Sequence, residues 1–259
     1  MLESAARMTK LSVNVNKLAT LRNSRGKNIP DVVQLSRDIL NWGAHGLTVH
    51  PRPDGRHIRF EDVRALSAVV REFNQTHKTS VEFNIEGYPS SDYLALVDET
   101  RPDQATLVPD PPEALTSNAG WRVAESQKLL TQVCTQLRQQ KVRSSIFVDP
   151  ATLNQADYMA LSSIQVDRVE FYTEAFADAF ATDKQSSVLN QYQDAAKKIT
   201  AMNIGINAGH DLNQKNLGAL VVAIPQISEV SIGHALISEA LCEGLPTTIN
   251  HYLRILGWR

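Results

Sequence analysis

The feature that most constrains this chain is an eightfold alternation of two apolar patterns. Short runs rich in β-branched residues stand at 11–16 (LSVNVN), 46–50 (GLTVH), 80–86 (SVEFNIE), 104–109 (QATLVP), 143–149 (RSSIFVD), 168–174 (RVEFYTE), 204–209 (IGINAG) and 229–234 (EVSIGH). Between them lie sets spaced three or four residues apart: Val32, Leu35, Ile39; Val63, Leu66, Val69, Val70, Phe73; Leu130, Val133, Leu137; Val188, Tyr192, Ala195, Ile199, Met202. The first pattern places alternate side chains on opposite faces of a strand, and the second lays one apolar stripe of a helix against a sheet. Pro30 at a first-turn position and Asn213 ahead of QKNLGALVVAI mark helix starts, ALISEALCEG reads as a helix, and a last helix follows Gly244-Leu245-Pro246 over 247–257.

Strand-then-helix units repeated eight times in 259 residues predict an α/β fold, a (β/α)8 TIM barrel with additional helices. An open doubly wound sheet is the competing architecture. Neither G-x-G-x-x-G after the first strand nor G-x-x-x-x-G-K-[ST] occurs, so the usual nucleotide signatures of open sheets are missing. Residues 1–9 read as a poorly ordered extension, and 10–259 as one barrel domain, with 110–121 (DPPEALTSNAGW) and 22–29 as candidate lids.

Lys and Arg total 26 against 28 Asp and Glu, with no block of one sign, which removes the electrostatic signature of broad nucleic-acid binding. No apolar stretch is long enough to span a membrane and no secretory leader opens the chain, so a cytoplasmic address is the expectation. The two cysteines, Cys134 and Cys242, read as small buried apolar residues.

A barrel of this kind builds its chemistry at the C-terminal ends of its strands. The polar residues expected there are Asn14, Asn16 and Lys17 after the first strand, His50 after the second, Glu82, Asn84 and Glu86 along the third, Asp149, Glu170, Thr173, Asn207, His210 and Gly233-His234. Period-two alternation puts Glu82, Asn84 and Glu86 on one face, and a buried Glu82 would have its pKa raised toward acid/base work. His50, His57, His210 and His234 converge on one rim, whereas His45, His77 and His251 fall at structural positions. Zinc or manganese held by these histidines with Glu82 and Glu170 is a competing reading, but H-x-H and H-E-x-x-H spacings are absent. Gly233 before a helix and Gly209 before His210 suit a phosphate, and Arg22, Arg25, Arg52 and Arg56 suit a second anion.

LSVNVNKLATLRNSRG (11–26), GLTVHPRPDGRHI (46–58), VEFNIEGYP (81–89), TLVPDPPEALTSNAGW (106–121), VEFYTEAFA (169–177), INAGHDLN (206–213) and SIGHALI (231–237) together resemble the pyridoxine 5′-phosphate synthase family of vitamin B6 biosynthesis, over about residues 10–257. The resemblance implies a transferase that condenses 3-amino-2-oxopropyl phosphate with 1-deoxy-D-xylulose 5-phosphate to pyridoxine 5′-phosphate, phosphate and water. It implies no metal, no organic cofactor, and a homo-oligomer, usually an octamer built from dimers. By the same resemblance His50 and Glu82 are proton acceptors, His210 a proton donor and Glu170 a transition-state stabiliser. Asn14, Arg25, Asp211, Gly233 and His234 would bind the amino-ketone phosphate, and Arg52, His57 and Thr116 the deoxyxylulose phosphate. Many relatives read Asp-His at the positions of Asn16-Lys17, which also belong to the latter site, and Gly at the position of Asp211. Two further readings stay open: another phosphosugar barrel of the aldolase or epimerase type, and a non-catalytic barrel that binds a phosphometabolite.

Overall fold

The computed structural model describes residues 8–110 and 119–259. Eight strands, β1 (Lys10–Asn14), β2 (Gly46–Val49), β3 (Glu82–Gly87), β4 (Gln104–Leu107), β5 (Arg143–Val148), β6 (Arg168–Tyr172), β7 (Gly205–Gly209) and β8 (Ile227–Ile232), pair in parallel in sequence order, and β8 closes on β1. Each expected strand is present, shifted at its ends by one or two residues. Around them lie α1 (Asn16–Asn23), α2 (Val32–Asn41), α3 (Phe60–His77), α4 (Ser91–Thr100), α5 (Gln127–Gln139), α6 (Gln155–Ile164), α7 (Glu174–Ala179), α8 (Gln185–Ala201), α9 (Leu217–Ala223), α10 (His234–Glu243) and α11 (Leu245–Ile255).

Four of these helices carry no stripe visible in the sequence. α1 is mostly polar, and α7 at six residues is too short to show a period. α4 and α6 have the signal at their caps instead: Ser90 Oγ accepts from Tyr93 N–H, and Asn154 accepts from Asp157 N–H while Asp157 returns the bond to Asn154 N–H. Pro30 stands outside α2 rather than in its first turn, because Asp31 is the residue that accepts from Gln34 N–H.

The apolar core is a ring between sheet and helices. Leu11, Val13, Leu47, Val49, Phe83, Ile85, Ile146, Val148, Val169, Phe171, Val230 and Ile232 all point outward from the strands and are buried. The inward set is polar. Ser12 and Thr48 hydroxyls pair at 2.7 Å, Thr106 Oγ1 donates to Asn84 Oδ1 at 3.0 Å, and Asn207 Nδ2 donates to Gln104 Oε1 at 3.2 Å. These groups tolerate burial because they pair with one another, between neighbouring strands for the first two bonds and across the barrel for the third.

At the N-terminal end the chain is tied earlier than expected. Thr9 is buried, its hydroxyl donates to Ile227 O at 2.9 Å, and Trp258 Nε1–H donates to Thr9 O at 2.6 Å; residues 1–7 lie outside the described residues. His45 accepts from Leu11 N–H and packs on Trp258, His77 stacks on Phe73, and His251 meets Glu243, so none of the three lines the cavity at the C-terminal strand ends. Cys134 is buried, but Cys242 is exposed, because α10 turns that face to solvent. Among the described residues, no helix is long and apolar enough to cross a membrane.

Candidate active site

The C-terminal ends of the strands surround a cavity of about 620 Å3. Asn14, Asn16, Lys17, His50, Arg52, His57, Glu170, His210, Asp211, Gly233 and His234 line it, together with Glu86, Glu174, Arg56 and Ser231. Two of the described residues that the resemblance assigns to the site do not. Arg25 is exposed beyond the end of α1 and borders no part of the cavity, and Thr116, with most of the candidate lid at 110–121, lies outside the described residues.

The other is Glu82. It is the first residue of β3, at the N-terminal end of the barrel, with Gly46, the first residue of β2, as its register partner. Its carboxylate binds Lys10 Nζ at 2.9 Å and Arg143. Burial pushes the acid up, but Arg143 and Lys10 outweigh it and hold the carboxyl below its ordinary range. The expectation of a raised, proton-accepting Glu82 therefore reverses: the group is an ion-pair anchor of the barrel floor. Glu86, four residues and about 13 Å further along the strand, occupies the cavity instead. The alternation already placed both on one face. Only position along β3 separates them, and the rule that chemistry sits at the C-terminal end favours Glu86.

Each side chain is set by its neighbours. Asn16 Oδ1 accepts from His50 N–H at 2.9 Å, and Asn14 Oδ1 from Asn16 N–H at 3.1 Å, so the end of β1 fixes the end of β2. Asn14 Nδ2 donates to Glu86 Oε2 at 3.4 Å, and His50 Nδ1 lies 3.9 Å from the same oxygen. Arg22, expected at the rim, is buried against Asp62 of α3 at 2.8 Å, and Asn23 Nδ2 donates to His57 O at 2.8 Å. These two residues hold the loop that presents His57. Arg52 is buried against Asp110 at 3.0 Å.

Burial also sets protonation. His50 is pushed down to about 3, by burial first and then by His57 and Arg52. His57 is lowered to about 4, by burial and by Lys17. Glu170 is raised to about 8, by burial and by Glu229, against the Thr106 hydroxyl. Glu86 is raised well above its usual range, by burial and then by Glu170. Burial thus favours the neutral form of the His50 imidazole and of the Glu86 and Glu170 carboxyls, a base beside acids that can accept and donate protons in the reaction.

Glycines give the remaining shape. A Cβ on Gly209 would come 2.5 Å from Glu170 Oε1, and one on Gly233 would come 3.0 Å from Asn14 Cβ. Gly233 precedes α10, whose first residues His234 and Ala235 line the cavity, so a helix N-terminus that suits an anion borders it. Among the described residues, no group of three or more His, Cys, Asp or Glu is arranged to hold a metal ion.

The barrel resembles solved structures at low identity: the tryptophan synthase alpha-subunit of Pyrococcus furiosus matches at 12% identity and a TM-score of 0.59, covering 96% of this chain and 98% of that one. That likeness concerns the fold alone. In sequence, pyridoxine 5′-phosphate synthase of Cytophaga hutchinsonii is 46% identical over 249 residues, covering 96% of this chain and 99% of the relative. The enzyme of the same name from Xanthomonas axonopodis pv. citri is 48% identical over 255 residues, with 96% of each chain covered. The family model for the pyridoxal phosphate biosynthesis protein PdxJ matches residues 11–257, which takes in every strand end that faces the cavity. The chain belongs to the pyridoxal phosphate biosynthesis protein PdxJ family.

Proposed function

We propose that this protein is a pyridoxine 5′-phosphate synthase, joining 3-amino-2-oxopropyl phosphate to 1-deoxy-D-xylulose 5-phosphate with release of phosphate and water. The observation that carries the reading is the set of proton-transfer groups, His50, Glu86, Glu170 and His210, gathered in one cavity beside anion-suited loops. The names of the relatives agree with it.

The bond changes require this many groups. The amine attacks the ketose carbonyl, and the carbinol formed loses water when an acid protonates its hydroxyl and a base takes a proton from nitrogen or carbon. Loss of phosphate, ring closure and a last deprotonation repeat these demands at other atoms. His50, uncharged in the cavity, serves as the base, and Glu86 beside it serves as the acid that returns the proton. Glu170 stabilises charge as it develops, and His210 donates to a departing oxygen from the far side of the cavity.

Asn14, the Asp211 backbone, Gly233 and His234 bind the amino-ketone phosphate in this reading. Asn16, Lys17, Arg52 and His57 hold the deoxyxylulose phosphate, with Thr116 as a further contact. Holding both substrates in one cavity supplies orientation worth up to about 7–11 kcal/mol. The reading needs neither metal nor organic cofactor. It extends to a cytoplasmic homo-oligomer, on the sequence resemblance. A Schiff-base aldolase is less well supported, since among the described residues the only lysine on the cavity is Lys17, which is exposed.

The test mixes metal-stripped protein with both substrates and follows pyridoxine 5′-phosphate by mass and absorbance, with inorganic phosphate alongside. Both products in step are expected. Binding of each substrate without either product would overturn the synthase reading in favour of a phosphometabolite-binding barrel.

A further inference from the structure

The loop after β7 carries His210 and Asp211 in consecutive left-handed conformations, with φ of 83° and 56°. Neither is glycine, the residue that adopts this region without strain. Both peptide carbonyls are pinned: the Thr173 hydroxyl donates to His210 O, and Asn216 Nδ2 donates to Asp211 O at 3.1 Å. The left-handed pair is thus imposed by its surroundings.

This conformation folds the Asp211 carboxylate back onto its neighbour. His210 Nδ1 lies 2.7 Å from Asp211 Oδ2, and the edge-on ring of Tyr172 stands 4.8 Å from the imidazole, centroid to centroid, at 73°. The imidazole is held on two sides, by a charge-bearing acceptor and by an aromatic ring. His210 in turn keeps the Asp211 carboxyl below its usual range.

We propose that Asp211 is a positioning residue for the reaction: by accepting from Nδ1–H of His210 it fixes the ring's tautomer and orientation, and it commits Nε2 to proton exchange with substrate. Stability does not explain an aspartate here. Its side chain is 40% exposed, where an ion pair contributes little, and the left-handed backbone would be relaxed by glycine. Orientation of His210 explains it. When Nε2–H gives its proton to a departing oxygen, the ring that remains neutral still donates Nδ1–H to Asp211, which stays ionised throughout. Among the described residues, the other charged or titratable groups near His210 and Asp211 include Glu170 and Tyr172 of β6, Asp149 after β5, Glu174 of α7, which accepts from the Tyr172 hydroxyl, and His234 of α10.

The inference rests on the synthase reading, and its test separates the two. Asp211→Gly and Asp211→Asn are compared with the wild type in kcat, KM, the pH profile of kcat/KM and thermal unfolding, while nitrogen NMR of His210 reports its tautomer. D211G is expected to unfold no earlier than the wild type and to keep KM within about threefold, while kcat falls roughly tenfold or more. D211N, which retains an acceptor oxygen but no charge, should keep more of kcat; in both variants the alkaline limb of the profile moves to lower pH by about one unit. In the wild type the neutral ring should carry its hydrogen on Nδ1. Wild-type kcat with superimposable pH profiles in both variants, or a wild-type ring with its hydrogen on Nε2 alone, would overturn the role given to Asp211. A wild type that makes no product overturns the synthase reading, and the tautomer then decides for or against Asp211 by itself.

Discussion

His50 Nδ1 and Glu86 Oε2 face each other at 3.9 Å where β2 and β3 open into the cavity, and burial keeps both side chains uncharged. A neutral base can take a proton from the substrate while a neutral acid beside it gives one, which repeated condensation and elimination steps require. Glu86→Gln keeps the shape and the contact with Asn14 but cannot release a proton. Turnover should fall about a hundredfold or more, with the unfolding midpoint almost unchanged. Steady-state product formation and a urea titration on the same preparation check this.

Glu82→Gln should behave in the opposite way. The carboxylate anchors Lys10 and Arg143 at the closed end of the barrel, remote from the chemistry. Neutralising it leaves two cations without their counter-charge, at a cost of about 2 kcal/mol for a pair that is only partly buried. A lower urea midpoint with kcat within about twofold of the wild type is the expected result. Loss of turnover without loss of stability would return Glu82 to the reaction.

Stability against pH should show a plateau with two falling sides. Burial lowers His45, His50 and His57 to about 4, 3 and 4 from 6.5, so the folded state binds fewer protons than the unfolded chain below about 6.5, and these three favour folding as pH rises toward that value. Glu170 and Glu229 are raised to about 8 and 7 from 4.5, and Glu86 is also raised, so these three disfavour folding as pH rises from 4.5. Between about 4.5 and 6.5 the two sets oppose one another. Below 4.5 the histidines act and stability falls with falling pH; from 6.5 to about 8 the carboxyls act alone and stability falls with rising pH. Thermal unfolding from pH 4 to 9 reads this directly, and a midpoint still climbing between pH 6.5 and 8 would contradict it.

Gly233→Ala tests the phosphate-facing junction. The backbone there has a φ of −124°, outside the left-handed region that favours glycine. The new Cβ would press on Asn14, 3.0 Å away at Cβ and 3.2 Å at Cγ. KM for the amino-ketone phosphate should rise about tenfold, equivalent to about 1.4 kcal/mol, while the fold and the KM for the other substrate stay nearly constant.

The sequence by itself determined the barrel. Alternation within LSVNVN or VEFNIEG and the three-to-four spacing of the helices are local consequences of backbone geometry, so eight strands in chain order could be read residue by residue. It also marked His50, His57, His210 and Gly233, which follow strand ends and therefore reach the same rim.

What the tertiary structure decided was depth and partnership. Glu82 and Glu86 are equivalent in a period-two pattern. Their different fates come from Lys10 and Arg143, 72 and 61 residues away in sequence from Glu82, and from Glu170, which meets Glu86 only once the barrel closes. Arg22 reads as a rim cation until Asp62 of α3 buries it. Asp211 reads as a loop residue until a left-handed turn lays its carboxylate on His210. Side-chain periodicity is local and sets the face on which a residue lies. The protonation and role of a charged group follow from electrostatic neighbours that closure of the barrel brings together, and no stretch of sequence contains them.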